Sequence, residues 1–219
     1  MKLYSFWRSL ASFRVRIALK FKRKDFDIVS TDLLAGDQFK SDFNLINPQA
    51  MVPSLVLDDG SILYQSMALL EYLDEVYPDP PLMPQNAMAR ARVRALCMMA
   101  VADIHPLVVP RVRKYMTDKV GLDEAALNQW IENWTNLGLA AMETHINQNN
   151  PDGIYCEGDV VSLADLCLIP QVGAAKMFGF DVSHYPHLSR IFETCMSQPE
   201  FFDSRPQVQP DYPEDLNGR

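Results

Sequence analysis

The stretch VPSLVLDDGSILYQSMALLEYLDEVYP, residues 52–78, decides the fold. Ser54–Leu57 and Ser61–Tyr64 are short β-prone runs joined by Asp58-Asp59-Gly60, a strong hairpin signal. Ser66 stands where a helix N-cap belongs, and Leu69, Leu70, Leu73 and Val76 follow at helical spacing until Pro78 forbids continuation. The stretch therefore reads as two strands and a helix, the second half of an α/β unit.

The first half lies upstream. Lys2–Phe6 reads as a strand, and residues 12–22 set Val15, Ala18, Leu19 and Lys22 on one side with Ile17 and Phe21 beside them, the spacing of an amphipathic helix. Phe26 and Ile28 alternate with Asp27 and Val29, which predicts a second strand parallel to the first. Ala35–Asp42 is polar and contains glycine, so an irregular or weakly helical connection is expected. The order βαβ then ββα is the plan of a thioredoxin-like domain, assigned to residues 1–80, with a Pro-rich linker over 81–87.

From residue 88 to 219 the pattern predicts an all-helical domain, giving an α/β plus all-α chain. A helical stretch over 87–117 should bend at Pro106 and Pro110, and further helices are expected at 123–148, about 163–178 and 187–197. Val161-Ser162-Leu163-Ala164-Asp165-Leu166 has the form of a capping box with a hydrophobic staple. The last twenty residues are Pro-rich with few apolar anchors, and are expected to wrap the surface or fray.

The 219 residues are 48% apolar and 22% charged, the composition of a folded globular chain. A formal net charge of −8 works against nucleic acid or an anionic membrane as partner. The first 24 residues carry eight Lys or Arg and no Asp or Glu, yet run from strand to helix without a cleavage-like break, so they read as folded protein rather than a transit peptide. No apolar stretch of membrane-spanning length and no signal sequence stand out, which predicts a cytoplasmic address. Cys97, Cys156, Cys167 and Cys195 lie far apart, with neither metal-ligand nor redox spacing, and no metal is expected.

A thioredoxin-like domain invites a search for a thiol at the start of its first helix. The position reads Trp7-Arg8-Ser9-Leu10-Ala11-Ser12-Phe13-Arg14, with hydroxyls where a thiol nucleophile would stand. A helix N-terminus stabilises an anion, so a chain without its own thiol is suited to receive a thiolate. Val52-Pro53 precedes a strand, and a cis bond there would leave the Val52 backbone to pair with an extended peptide. Gln65-Ser66 presents an amide, a hydroxyl and a helix N-terminus to a carboxylate. Each feature alone has an ordinary structural explanation, and their order in one βαβ-ββα unit favours a binding site.

Phe6-Trp7-Arg8-Ser9, Arg14-Val15-Arg16-Ile17-Ala18-Leu19, Asn47-Pro48, Val52-Pro53, Gln65-Ser66, Ser162-Leu163-Ala164-Asp165, Asp103-Ile104-His105-Pro106-Leu107 and Pro170-Gln171-Val172 resemble the zeta class of glutathione transferases over nearly the whole chain. That class includes maleylacetoacetate and maleylpyruvate isomerases. The resemblance implies a homodimer, glutathione as a reusable cofactor, a small electrophilic and dicarboxylate substrate, and a place in aromatic amino acid degradation. It further implies that Ser9, or Ser12, or backbone amides at Leu10 and Ala11, hold the glutathione sulfur as thiolate. Val52 and Pro53 would meet the cysteinyl backbone, and Gln65 and Ser66 the γ-glutamyl end. Arg8, Arg111, His105 and Lys176 would line the substrate site, the arginines binding carboxylate.

Three positions depart from the class. Leu10 and Ala11 replace polar residues in a Ser-Ser-Cys-Ser loop, Met177 with Lys176 beside it replaces an arginine, and Ala50, with Gln49 one place earlier, replaces a glutamine before Val-Pro. The expected activity is glutathione-dependent cis-trans isomerisation of a maleyl-type substrate. General conjugation or dehalogenation, and a non-catalytic interaction module, are the alternatives.

Overall fold

A computed structural model describes residues 1–216, and the chain divides into two compact units: Met1–Leu82 joined by the residues from Met196 on, and Met83–Cys195. The segment after Met196 thus groups with the first unit, whereas the sequence reading gave all of 88–219 to the helical domain.

The first unit orders β1 (Lys2–Ser5), α1 (Leu10–Phe21), β2 (Asp27–Ser30), a 3-10 turn at Asp37–Phe39, α2 (Ser41–Ile46), β3 (Ser54–Val56), β4 (Ile62–Tyr64) and α3 (Ser66–Val76). The sheet runs β2-β1-β3-β4. β1 pairs parallel with β2, Leu3 opposite Ile28, and antiparallel with β3, Leu3 opposite Leu55. β3 and β4 close the hairpin with Leu55 opposite Leu63. Leu3 and Leu55 are fully buried, as are Val15, Ile17, Ala18 and Leu19 of α1 and Leu69, Leu70 and Leu73 of α3. Burying such aliphatic side chains contributes roughly 1.5–3 kcal/mol each, which holds α1 and α3 to the sheet.

One charge sits in this core with its partners. Lys22 at the C-cap of α1 donates from Nζ to Asp74 at 2.7 Å and to the Pro80 carbonyl at 2.6 Å. The ammonium is enclosed yet neutralised, and it ties α1 to α3 and the chain beyond it.

α3 begins one residue differently from expectation. Its N-cap is Gln65, with φ 73°, and Ser66 is the first helical residue. The turn out of β4 forces Gln65 into the left-handed region, so the helix opens on the next residue.

The second unit is helical: α4 (Ala87–Met98), a π-helical segment Met99–Ile104, α5 (His105–Val108), α6 (Pro110–Tyr115), a second π segment Met116–Val120, α7 (Glu124–Asn149), α8 (Leu163–Met177) and α9 (Pro186–Met196). α4 packs on α8, and Val93, Leu96, Ile104, Leu139, Met142, Leu166 and Ile169 are buried between helices. Gly138 permits the close approach of α7 to the first π segment, since a Cβ there would lie 2.1 Å from Ile104 Cγ1. The expected bend falls at Val109, whose extended backbone separates α5 from α6.

The run Ala87–Val120 is, contrary to the sequence expectation, long and apolar enough by length and composition to cross a bilayer. Its backbone is broken at Val109 and its α4 portion is spent on α8. A bilayer span must pair its backbone groups within itself, and the break at Val109 interrupts that pairing.

The capping box forms as expected. Ser162 and Asp165 bond reciprocally at the start of α8, and Asp165 also accepts from the Cys156 amide at 2.9 Å. All four cysteines are free and buried, and burial pushes the Cys156 thiol well above its usual range.

The tail does not simply lie on the surface. α10 (Pro199–Phe202) packs against α1, Phe201 is fully buried, and Tyr212 and Leu216 join a cluster with Phe6, Trp7, Phe43 and Val52.

Candidate glutathione site

Ser9 is the N-cap of α1, with φ −71° and ψ 117°, and its carbonyl accepts from the Phe13 amide at 2.9 Å. Ser9 Oγ accepts from the Ser12 amide at 3.2 Å. A serine hydroxyl that accepts one bond still carries its own hydrogen, so Ser9 can donate to an anion placed before the helix. The first turn of α1 contains no acidic residue. Leu10 and Ala11 occupy its first two positions, whose amides have no carbonyl inside the helix to bond. The loss of polar side chains at these positions leaves those backbone donors intact.

Ser12 is placed differently. It is fully buried, and its Oγ has no hydrogen-bond partner among the described residues. Only its amide takes part, through Ser9.

The other expected residues connect to this point by short contacts. The Val52–Pro53 bond is cis, and Val52 packs in the cluster with Phe6 and Trp7, the residues leading to Ser9. Arg14 Nη1 donates to Ser66 Oγ at 3.3 Å, linking α1 to the start of α3. Gln65 is exposed, and its Nε2 donates to Gln49 Oε1 at 2.8 Å. Asn47 Nδ2 in turn donates to the Met51 carbonyl at 2.9 Å, folding the loop that carries Gln49 back toward Val52. Within the first unit these contacts tie α1 to Ser66, Gln65 to Gln49, and the loop that carries Gln49 to the residue before Val52.

The residues expected to line a substrate site are spread over both units. Arg8 is exposed between β1 and α1. His105 opens α5, and Arg111 is exposed on the first turn of α6. Lys176 bonds Glu193 at 2.9 Å and stands 4.3 Å over the Phe192 ring, so its charge is matched on α9. Arg113, one turn end of α6, lies 5.7 Å over the Phe178 ring, which brings α6 to the end of α8 where Met177 and Lys176 stand.

Sequence reasoning missed Gln49 as a partner of Gln65, and Arg14 as the residue engaging Ser66. The signal for Gln49 was the vacancy left by Ala50. Ala50 adopts φ 52°, and the loop so turned presents the preceding glutamine.

With this geometry, the known relatives are informative. Residues 8–76 match the glutathione S-transferase N-terminal domain and residues 139–199 its C-terminal domain. A probable maleylacetoacetate isomerase of Vibrio cholerae is 39% identical over 95% of this chain and 97% of that protein. Among solved structures, a holo maleylpyruvate isomerase, described as a bacterial glutathione S-transferase of zeta class, is 38% identical with TM-score 0.94, covering 97% of this chain and 100% of that one. A maleylacetoacetate isomerase of Methylobacterium extorquens AM1 with bound malonate and GSH is 42% identical with TM-score 0.94 over the same shares. The chain belongs to the glutathione S-transferase family. Within it, the similarity lies with the zeta class.

Proposed function

We propose that this protein is a glutathione-dependent cis-trans isomerase of maleyl-type substrates, maleylpyruvate or maleylacetoacetate. The observation that carries the reading is the start of α1: a hydroxyl already oriented by the Ser12 amide, beside unpaired helix amides, in a domain with no thiol of its own at that place. Near-full-length similarity to isomerases of this kind supports the substrate class.

When bound, glutathione supplies the thiolate that adds to a cis double bond conjugated to a carbonyl, permits rotation, and leaves again with the trans isomer formed. Ser9 donates a hydrogen bond to the sulfur, and the dipole of α1 adds to the effect, so the anion is favoured over the thiol. Val52 holds the extended backbone of the tripeptide, while Gln65 and Ser66 hold its γ-glutamyl carboxylate at the start of α3. Arg8 and Arg111 are proposed to bind substrate carboxylate, which the planar guanidinium suits, and His105 is proposed as a further substrate residue. Lys176 is proposed to add a positive charge for the substrate, and it pairs with Glu193 at 2.9 Å on the exposed surface. A homodimer, a cytoplasmic address and a place in aromatic amino acid degradation belong to the same proposal, and rest on the family.

The replacement of an arginine by Met177 gives the conjugating or dehalogenating reading a specific observation of its own. Incubating maleylpyruvate, maleylacetoacetate and a haloaromatic with and without glutathione separates the two. Turnover of a maleyl substrate only with glutathione supports isomerisation, and turnover of the haloaromatic alone rejects it.

A further inference from the structure

The loop between β1 and α1 delivers Ser9, and part of what holds it comes from the far end of the chain. The Trp7 amide, two residues before Ser9, donates to Asp211 Oδ2 at 2.9 Å across 204 positions of chain. The Trp7 ring meets Tyr212 edge-on, centroids 4.9 Å apart. A single guanidinium then gathers the rest. Arg16 donates from Nη1 to Ser5 Oγ at 3.0 Å and to the Phe6 carbonyl at 3.4 Å, from Nη2 to the Trp7 carbonyl at 3.3 Å, and from Nε to the Ser204 carbonyl at 3.0 Å. The Phe6 carbonyl that Arg16 holds is the one that accepts from the Ser9 amide at 3.0 Å.

We propose that the C-terminal segment Ser204–Tyr212 is a brace for the thiolate site, with Asp211 a positioning residue that fixes Ser9 through the Trp7 amide while the Ser204 carbonyl holds the Arg16 guanidinium. The inference rests on the reading of Ser9 given above. Its physical basis is geometric: Arg16 is buried with its donors spent on Ser5, Phe6, Trp7 and Ser204, and the Trp7 amide of the same loop is held by Asp211; burial also pushes the Arg16 pKa down to about 9. A buried cation needs an anion and a full set of acceptors. Two of these acceptors, the Phe6 and Trp7 carbonyls, set the approach to Ser9, so satisfying Arg16 also aims Ser9. Small displacements of a catalytic group cost large factors in rate, which makes rigidity at this loop a functional property.

The test uses full-length Asp211→Ala, Asp211→Asn and Tyr212→Leu. Three quantities are read: the pKa of the bound thiol by ultraviolet absorbance, kcat and KM, and affinity for S-methylglutathione, which has no thiolate to stabilise. Asp211→Ala is expected to raise the bound-thiol pKa and lower kcat about tenfold, while S-methylglutathione affinity changes less than threefold. Asp211→Asn keeps an acceptor for the Trp7 amide and should recover part of kcat. Hydrogen exchange at residues 6–9 should quicken in Asp211→Ala and in the milder Tyr212→Leu.

A folded Asp211→Ala with unaltered thiol pKa and kcat overturns the proposal, as does a parallel fall in S-methylglutathione affinity. If Asp211→Ala does not fold, unaltered exchange and kcat in Tyr212→Leu overturn it equally. Wild-type protein that binds glutathione without lowering its thiol pKa rejects the assignment of Ser9 itself, a failure visible before any variant is made.

Discussion

The Ser12 amide donates to Ser9 Oγ at 3.2 Å while Ser12 Oγ lies buried with no hydrogen-bond partner among the described residues. The two serines therefore have opposite consequences when truncated. Ser9→Ala removes both an N-cap, at a cost of about 1 kcal/mol of stability, and a donor to the thiolate, and should raise the pKa of bound glutathione by roughly one to two units. Ser12→Ala removes a buried hydroxyl that bonds none of the described residues, and should leave both the thiol pKa and thermal stability close to wild type. Ultraviolet titration of the bound thiol in both variants checks this, and a shift confined to Ser12→Ala would transfer the role.

Gln65 bonds Gln49 at the start of α3, whereas Ser9 caps α1. Gln65→Ala should weaken glutathione binding by roughly tenfold, the scale of one lost hydrogen bond to a charged group, with the bound-thiol pKa unmoved. Gln49→Ala should produce a smaller loss of the same kind. Calorimetric titration with glutathione reads both, and equal affinity in all three proteins would remove this pair from the site.

Asp165 sits fully buried, where burial raises its pKa and the amides of Cys156 and Ser162 pull the other way. A raised folded-state pKa means that its contribution to stability is fully present below the ordinary carboxylate pKa and declines as pH rises through the raised value. Asp165→Asn does not titrate there. The stability of wild type relative to Asp165→Asn should therefore fall as pH is raised from about 4 toward neutrality. Denaturant unfolding at a series of pH values measures the difference, and a constant or widening advantage of wild type would show that hydrogen bonds to the carboxylate outweigh its burial.

Arg111 is exposed on α6 in a chain of net charge −8. If it binds substrate carboxylate, Arg111→Ala should lower kcat/KM for a dianionic substrate by roughly tenfold or more while glutathione affinity holds, and Arg111→Lys should rescue only part. Equal losses toward charged and uncharged electrophiles would assign Arg111 to structure.

Much of the fold was legible because it is written in local patterns. The hairpin around Asp58-Asp59-Gly60, the stop at Pro78 and the Ser162–Asp165 capping box each depend on residues within a few positions of one another, and each stands in the structure. What could not be read depends on distant partners or on backbone angles. Gln65 displaces Ser66 from the cap because of its positive φ, a property of the turn rather than of either side chain. The tail looked weakly anchored because its apolar residues are few. Its hold on the first unit instead comes from Asp211 and Ser204 meeting Trp7 and Arg16 nearly two hundred positions away. Likewise nothing local in the sequence marks Arg14 and Arg16 of α1 as buried, and both are.

The central claim is that glutathione acts here as a returned reagent, and the most direct measurement follows free thiol and product together during turnover of a maleyl substrate. The account predicts many equivalents of trans isomer formed per glutathione, with the thiol concentration unchanged and no product without it. Thiol consumed in proportion to substrate would make the protein a conjugating transferase, and product formed at the same rate without glutathione would contradict the account outright.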